Sequence, residues 1–180
     1  MVLGNGSAAG SSKRYRNPEY ICRMSDSIHH YYLTTTWKGN RGTGTSDVGA
    51  YDRLHTVEVP GKPVLTLTTD NAQYGDRSVL NPEDLLVTAL SSCHMMSYLY
   101  LCAKARVVVT AYVDRAEGKM IEWEKGGGRF EEVVLKPEVT VQDASMLERA
   151  RQLHEMAHKI CYIANSVKFP VRCDAVVRVA

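Results

Sequence analysis

The sequence has little excess charge of either sign. Lys+Arg 22 against Asp+Glu 20 leave a formal net charge of +2. That surplus is too small to bind a phosphate backbone or an anionic membrane surface, so neither nucleic acid nor membrane is an expected partner. Long hydrophobic runs are also missing. A bilayer span needs roughly 18 or more apolar residues, and the longest candidate, Leu85 to Val113, is interrupted by Ser91, Ser92, His94, Lys104 and Arg106. No CxxC pair occurs, and the five cysteines (Cys22, Cys93, Cys102, Cys161, Cys173) are odd in number. Met1 to Ser12 is Gly/Ser/Ala-rich and carries no apolar stretch of the kind a secretory leader needs. A secreted disulfide framework is therefore not expected. The expected compartment is the reducing cytoplasm, where cysteines are buried, metal-bound or chemically active.

What is present is ordinary globular composition: 44% hydrophobic, 23% charged, Gly 13 and Pro 6. The length suits one domain of the common size of roughly 100–150 residues with a short extension. Residues 1–23 read as a flexible leader or appended extension, because Gly4, Gly6, Ser7, Gly10, Ser11 and Ser12 are linker residues. The domain is expected over 24–180. Strand-like stretches are Ile28 to Trp37, Arg53 to Val59 and Val64 to Thr68. Asn81-Pro82-Glu83-Asp84 predicts a helix start: a cap, a proline at the first helical position and two acids at the positive end of the dipole. The helix from about Pro82 to Ala105 is apolar nearly all round and is expected to be buried. Val107 to Ala116, Lys119 to Glu124 and Phe130 to Val141 follow as an antiparallel meander. A capping box at Ser145 and Glu148 opens a second helix to about Ile160, and Val171 to Val179 is the last strand. Segregated runs of strands and helices give an α+β class. One small sheet covers only one side of an all-apolar helix, so a second copy of the chain is expected to cover the other.

Cys93, in the run SSCHMM, has two readings. It packs as a small buried hydrophobe, or it is a reactive thiol whose pKa is lowered by a nearby cation. It lies too far into its helix for the dipole to activate it, so an arginine from elsewhere is needed. Glu83 precedes it by roughly 15 Å along a helix axis. Glu83 is either a favourable first-turn charge or the group that holds such an arginine, with Arg53 and Arg77 as candidates. Cys161, near the end of the second helix, is a core residue or a resolving thiol for a sulfenic acid on Cys93. Cys102 and Cys173 sit among apolar neighbours and are assigned to the core. Met95, Met96, Leu90 and Phe169 are candidates to line a pocket for an alkyl group, or simply core residues.

His154-Glu155-Met156-Ala157-His158 matches H-E-x-x-H. That spacing places two imidazoles on one helix face, with Glu155 as a possible general base of a zinc hydrolase. No third histidine or glutamate follows it in the chain. The competing reading is two surface histidines flanking the core face. Gly39 to Thr45 is glycine-rich but lacks the Lys-Ser/Thr ending of a P-loop, so it reads as a turn, with Arg41 near a functional surface.

Asn81-Pro82-Glu83-Asp84-Leu85-Leu86, Cys93 after it, and Cys161 beyond further strands and a helix together resemble the OsmC/Ohr family (osmotically inducible protein C and organic hydroperoxide resistance protein). Trp37 before glycine-rich turns is similar too. The resemblance runs from about Tyr31 to Ala180. It implies an OsmC-like fold: an intertwined homodimer with antiparallel sheets wrapped around central helices and active sites between subunits. It implies a thiol-dependent peroxidase for organic hydroperoxides, and for hydrogen peroxide as a further substrate, without metal, flavin or nicotinamide cofactor. In that reading Cys93 is the peroxidatic thiol and Cys161 the resolving one. Glu83 orients an arginine, with Arg53 preferred over Arg77. A lipoyl-bearing or thioredoxin-like dithiol reductant is the implied partner. Tyr162 departs from the proline that many members carry after the second cysteine. The competing class is a non-catalytic dimeric stress protein with structural cysteines.

Overall fold

The computed structural model describes residues 27–180. The leader expected over residues 1–23, with Cys22, lies outside them. Leu33–Ala180 forms a compact unit of its own. This unit runs β1 (Thr34–Trp37), β2 (His55–Glu58), β3 (Leu65–Leu67), α1 (Pro82–Lys104), β4 (Val109–Asp114), β5 (Glu117–Glu122), β6 (Gly128–Leu135), β7 (Pro137–Val141), α2 (Leu147–Ile160), β8 (Val171–Cys173) and β9 (Val176–Val179).

The strands form three sheets, ordered β1-β2-β3, β4-β7-β9 and β5-β6-β8. The expected meander does not form. β4 pairs with β7 rather than with β5, and Phe130 to Val141 splits into two strands that enter different sheets. The break falls at Lys136, whose backbone N–H donates to Asp114 Oδ1 at 2.7 Å. The short last strands run parallel to their neighbours, β8 to β6 and β9 to β7, so these two sheets are mixed rather than purely antiparallel.

The start of α1 is built as its residues dictate. Asn81 Oδ1 accepts from the Asp84 N–H at 2.7 Å, and Asp84 Oδ2 accepts from the Asn81 N–H at 3.2 Å. This reciprocal box satisfies two of the helix's orphan donors. The far end closes with Arg106 at φ 60°, as Val107 N–H reaches Cys102 O and Arg106 N–H reaches Ala103 O. That is the left-handed helix stop usually made by glycine. The start of α2 differs from expectation. Asp143, not Ser145, supplies the cap, accepting from the Ser145 N–H at 2.7 Å to shape a short 3₁₀ turn before the helix.

Only one stripe of α1 is buried: Leu90, His94, Tyr98 and Cys102, each four residues from the last. Within one chain the other faces are open, with Met96 and Tyr100 61% and 56% exposed; these are the faces that a second copy is expected to cover. In length and apolar content α1 does meet the measure of a bilayer span, which its interrupted hydrophobic run had argued against. A core helix passes the same test, and this one packs its stripe on α2 and the sheets. The stripe bridges two apolar clusters. Tyr98 and Cys102 join Val139, Val141, Ala150, Leu153, Ala157 and Val177. Leu90 joins Val133 and Leu135. His94 lies between them in the stripe. The sheet β1-β2-β3 packs only lightly on the rest of the chain and leaves Trp37, Val64 and Leu65 exposed.

Candidate functional site

Cys93 projects from the middle of α1 and is half-buried. Cys161 ends α2, where the chain turns extended, and is 1% exposed. The two thiols are neighbours in space, close enough for Cys93 to shift the ionisation of Cys161, although they are 68 positions apart by subtraction of their numbers. Burial first, then the Cys93 thiol, pushes the Cys161 thiol up to about 11. Cys161 is therefore protonated at neutral pH. Cys161 Sγ also accepts from the Ala164 N–H at 3.5 Å, which fixes its direction. Both cysteines are free thiols.

Arg53 and Glu83 meet elsewhere. Both line an open cavity of about 490 Å³ with Trp37, Tyr51 and His55, at the first turn of α1. The Arg53 guanidinium lies between two rings, 4.1 Å from the Tyr51 centroid and 4.0 Å from that of Tyr74. Its Nη1 donates to Tyr51 O at 2.7 Å. This double cation–π clamp holds the side chain without a carboxylate, and no Arg53–Glu83 ion pair forms among the described residues. Arg77 is exposed in the turn after Asp76 and does not line this cavity. Cys93 does not line it either. Within one chain the arginine–glutamate cavity and the thiol pair are thus separate. The turn before it is fixed by close approach: a side chain at Gly39 would put its Cβ 1.8 Å from Asp52 O. That carbonyl also accepts from Trp37 Nε1 at 2.8 Å. Arg41 is an exposed partner of Asp52 at 3.8 Å and does not itself line the cavity.

The residues considered for an alkyl pocket are not brought together. Leu90 is fully buried and Met96 is exposed. Met95 lines a different cavity with Ser91, Tyr112 and Asp114. Phe169 packs on Phe130, with ring centroids 5.3 Å apart.

The H-E-x-x-H histidines part company. His154 is 5% exposed, which corrects its reading as a surface residue. It points at α1, where His94 Nε2 lies 3.1 Å from its Nδ1. Cys173 Sγ stands 3.6 Å from His94 Nε2 and 3.8 Å from His154 Nδ1, so Cys173 faces imidazoles as well as packing against the Leu90 cluster. Tyr98 stacks on His154 at 3.9 Å between centroids and donates to Ala150 O at 3.2 Å. Burial pushes both imidazoles down to about 4; Asp114 opposes this for His94, and His158 adds to it. Burial, then Asp114 and Asp174, pushes the Cys173 thiol up to about 12. The sequence reading missed His94, which counted only as an interruption of an apolar run. Its spacing of four from both Leu90 and Tyr98 was the available signal.

A family model for OsmC-like protein matches residues 75–175. An OsmC-like protein of unknown function from Vibrio cholerae is 31% identical, with a TM-score of 0.74 over 83% of this chain and 100% of that one. The chain belongs to the OsmC-like family. OsmC-like structures at lower identity share the fold. An organic hydroperoxide resistance protein from Elizabethkingia anophelis matches at 16% identity and TM-score 0.61, over 87% of this chain and 100% of that one. A putative organic hydroperoxide resistance protein from Vibrio cholerae, with captopril in one of its active sites, matches at 21% and 0.55, over 87% and 94%. No match was found among curated proteins. The OsmC-like span takes in Arg77, Glu83, Cys93, Cys161 and Cys173 and leaves Arg53 outside.

Proposed function

We propose that this OsmC-like protein is a thiol peroxidase that reduces organic hydroperoxides. The observation that carries the reading is the meeting of Cys93, on α1, with Cys161, at the end of α2. Two neighbouring thiols suit a cycle that passes through a disulfide. The Cys93 thiolate attacks the O–O bond, takes one oxygen as a sulfenic acid and releases an alkoxide that leaves as the alcohol after protonation. Cys161 sulfur then attacks the sulfenic sulfur; a disulfide forms and water leaves. A dithiol reductant, lipoyl-bearing or thioredoxin-like, reopens it by exchange and is itself oxidised.

The working unit in this reading is a homodimer in the cytoplasm. Met96, Leu99 and Tyr100 form an uncovered apolar face on α1, and the lightly packed sheet β1-β2-β3 reaches away from its own core. A second copy covers both and brings the partner's Arg53 to Cys93. There the guanidinium stabilises the thiolate and the developing alkoxide, while Glu83 fixes the cavity floor.

The test is turnover of an organic hydroperoxide with a dithiol, wild type against Cys93→Ser. Activity lost in the variant, together with a Cys93–Cys161 bond in mass spectra after one equivalent of peroxide, is expected. Wild-type protein without turnover on lipoyl, thioredoxin-type and monothiol reductants would reject the reading.

A further inference from the structure

The thiol cycle leaves Cys173, His94 and His154 without a part. They come from three elements distant in sequence: His94 from α1, His154 from α2 and Cys173 from the end of β8. Two are buried and the third is half-buried. Their nearest donor atoms form a triangle with sides of 3.1, 3.6 and 3.8 Å. An ion at ordinary Zn–N and Zn–S distances with near-tetrahedral angles sets two nitrogens about 3.3 Å apart and each nitrogen about 3.6 Å from the sulfur. The triangle already has that size. A single N–H···N bond between the rings accounts for its shortest side but not for the sulfur facing both nitrogens.

We propose that His94 Nε2, His154 Nδ1 and Cys173 Sγ form a binding site for one thiophilic d¹⁰ cation, zinc(II) or copper(I). Two imidazoles and a thiolate suit both ions and disfavour magnesium and calcium, which take oxygen. On binding, the Cys173 thiol gives up its proton and the ion takes the sulfur lone pair; nothing is oxidised. A cavity of about 370 Å³ reaches the site, lined by His154, Cys173, Glu155, His158 and Lys159. It gives the ion a way in and room for a water as the fourth ligand. This ligand set shares His154 with the H-E-x-x-H pattern but replaces His158 with residues from two other elements. The ion would tie α1, α2 and β8 together where the two apolar clusters meet.

The test uses the full chain, reduced, freed of metal by chelation and titrated anaerobically with zinc(II) and, separately, copper(I) against a competing chelator. One equivalent bound per chain by either ion is expected, and the tighter arm identifies the ion. Cys173→Ser should weaken it about 100-fold or more. Cys93→Ser/Cys161→Ser should bind as wild type does, which separates this site from the thiol pair whatever the outcome of the peroxidase assay. Because Cys173→Ser removes a packed side chain, X-ray absorption on metal-loaded wild type provides a second reading: one sulfur at about 2.3 Å and two imidazole nitrogens at about 2.0 Å are expected. Uptake of neither ion, a shell without sulfur, or a folded Cys173→Ser protein with unchanged affinity would overturn the proposal.

Discussion

Cys161 and Cys173 both lie in the last part of the chain and both pack against α1, yet they keep different company. Cys161 meets another thiol. Cys173 meets two imidazoles. The split begins on α1 itself, where Cys93 and His94 are consecutive and therefore point about 100° apart around the helix. Burial raises both C-terminal thiols, so environment alone does not tell them apart. The facing group does: sulfur beside sulfur suits redox exchange, and sulfur beside nitrogen suits metal ligation.

The comparison breaks first at Cys93. Cys93→Ser should lower peroxidase kcat/KM by about 10³-fold or more, whereas Cys173→Ser, if the two clusters are independent, should stay within a few fold of wild type. Steady-state kinetics on both variants decide it. Arg53→Ala is next, with an expected loss of about 10²–10³-fold, and Arg77→Ala should do little. A larger effect from Arg77 would reverse the choice between them.

Acidity sharpens the imidazole side. His94 and His154 sit at about 4 against an ordinary value of 6.5. The unfolded chain therefore binds more protons between those values, and stability falls as pH drops through that window. Above pH 6.5 their contribution is complete. Cys173, raised to about 12 from 9.0, acts at the other end: its contribution is complete below pH 9 and is lost as pH rises toward 12. Thermal melts of chelator-treated protein should show a plateau from about pH 6.5 to 9 with slopes on both sides. His154→Leu should remove about half of the acid slope, while Cys161→Ser should leave it in place.

The smallest expected effect lies at the end of α1. Arg106 holds a left-handed conformation, and Arg106→Gly should stabilise by roughly 0.5–1 kcal/mol without touching either cluster. Chemical denaturation is sensitive enough to read it.

Much of the helical framework was legible because its signals are local. Asn81, Pro82 and Asp84 set the start of α1 within four consecutive positions. The pairing of the sheets was not legible, since nothing near β4 in sequence says that its neighbour is β7 rather than β5. The parallel seats of β8 and β9 depend likewise on partners far along the chain. The site followed the same rule. Cys93 and Cys161 stood out through a family pattern. His94 was obscured because a lone polar residue in an apolar run reads as an interruption until α2 and β8 are placed beside it. The capping box expected at Ser145 failed for a local reason: Asp143 accepts from the Ser145 N–H and caps a short 3₁₀ turn there, and α2 starts after it at Leu147.

Among the described residues the sheet β1-β2-β3 has unpaired edges on both outer strands, and its exposed Trp37 and Leu65 precede the core-forming helices in the chain. In the homodimer proposed above, these strands are made before α1 and the later sheets but are covered only when a second chain arrives. For that interval they are an open template for wrong pairing. In that reading, expression level and the timing of assembly bear on how much of this protein reaches its folded state.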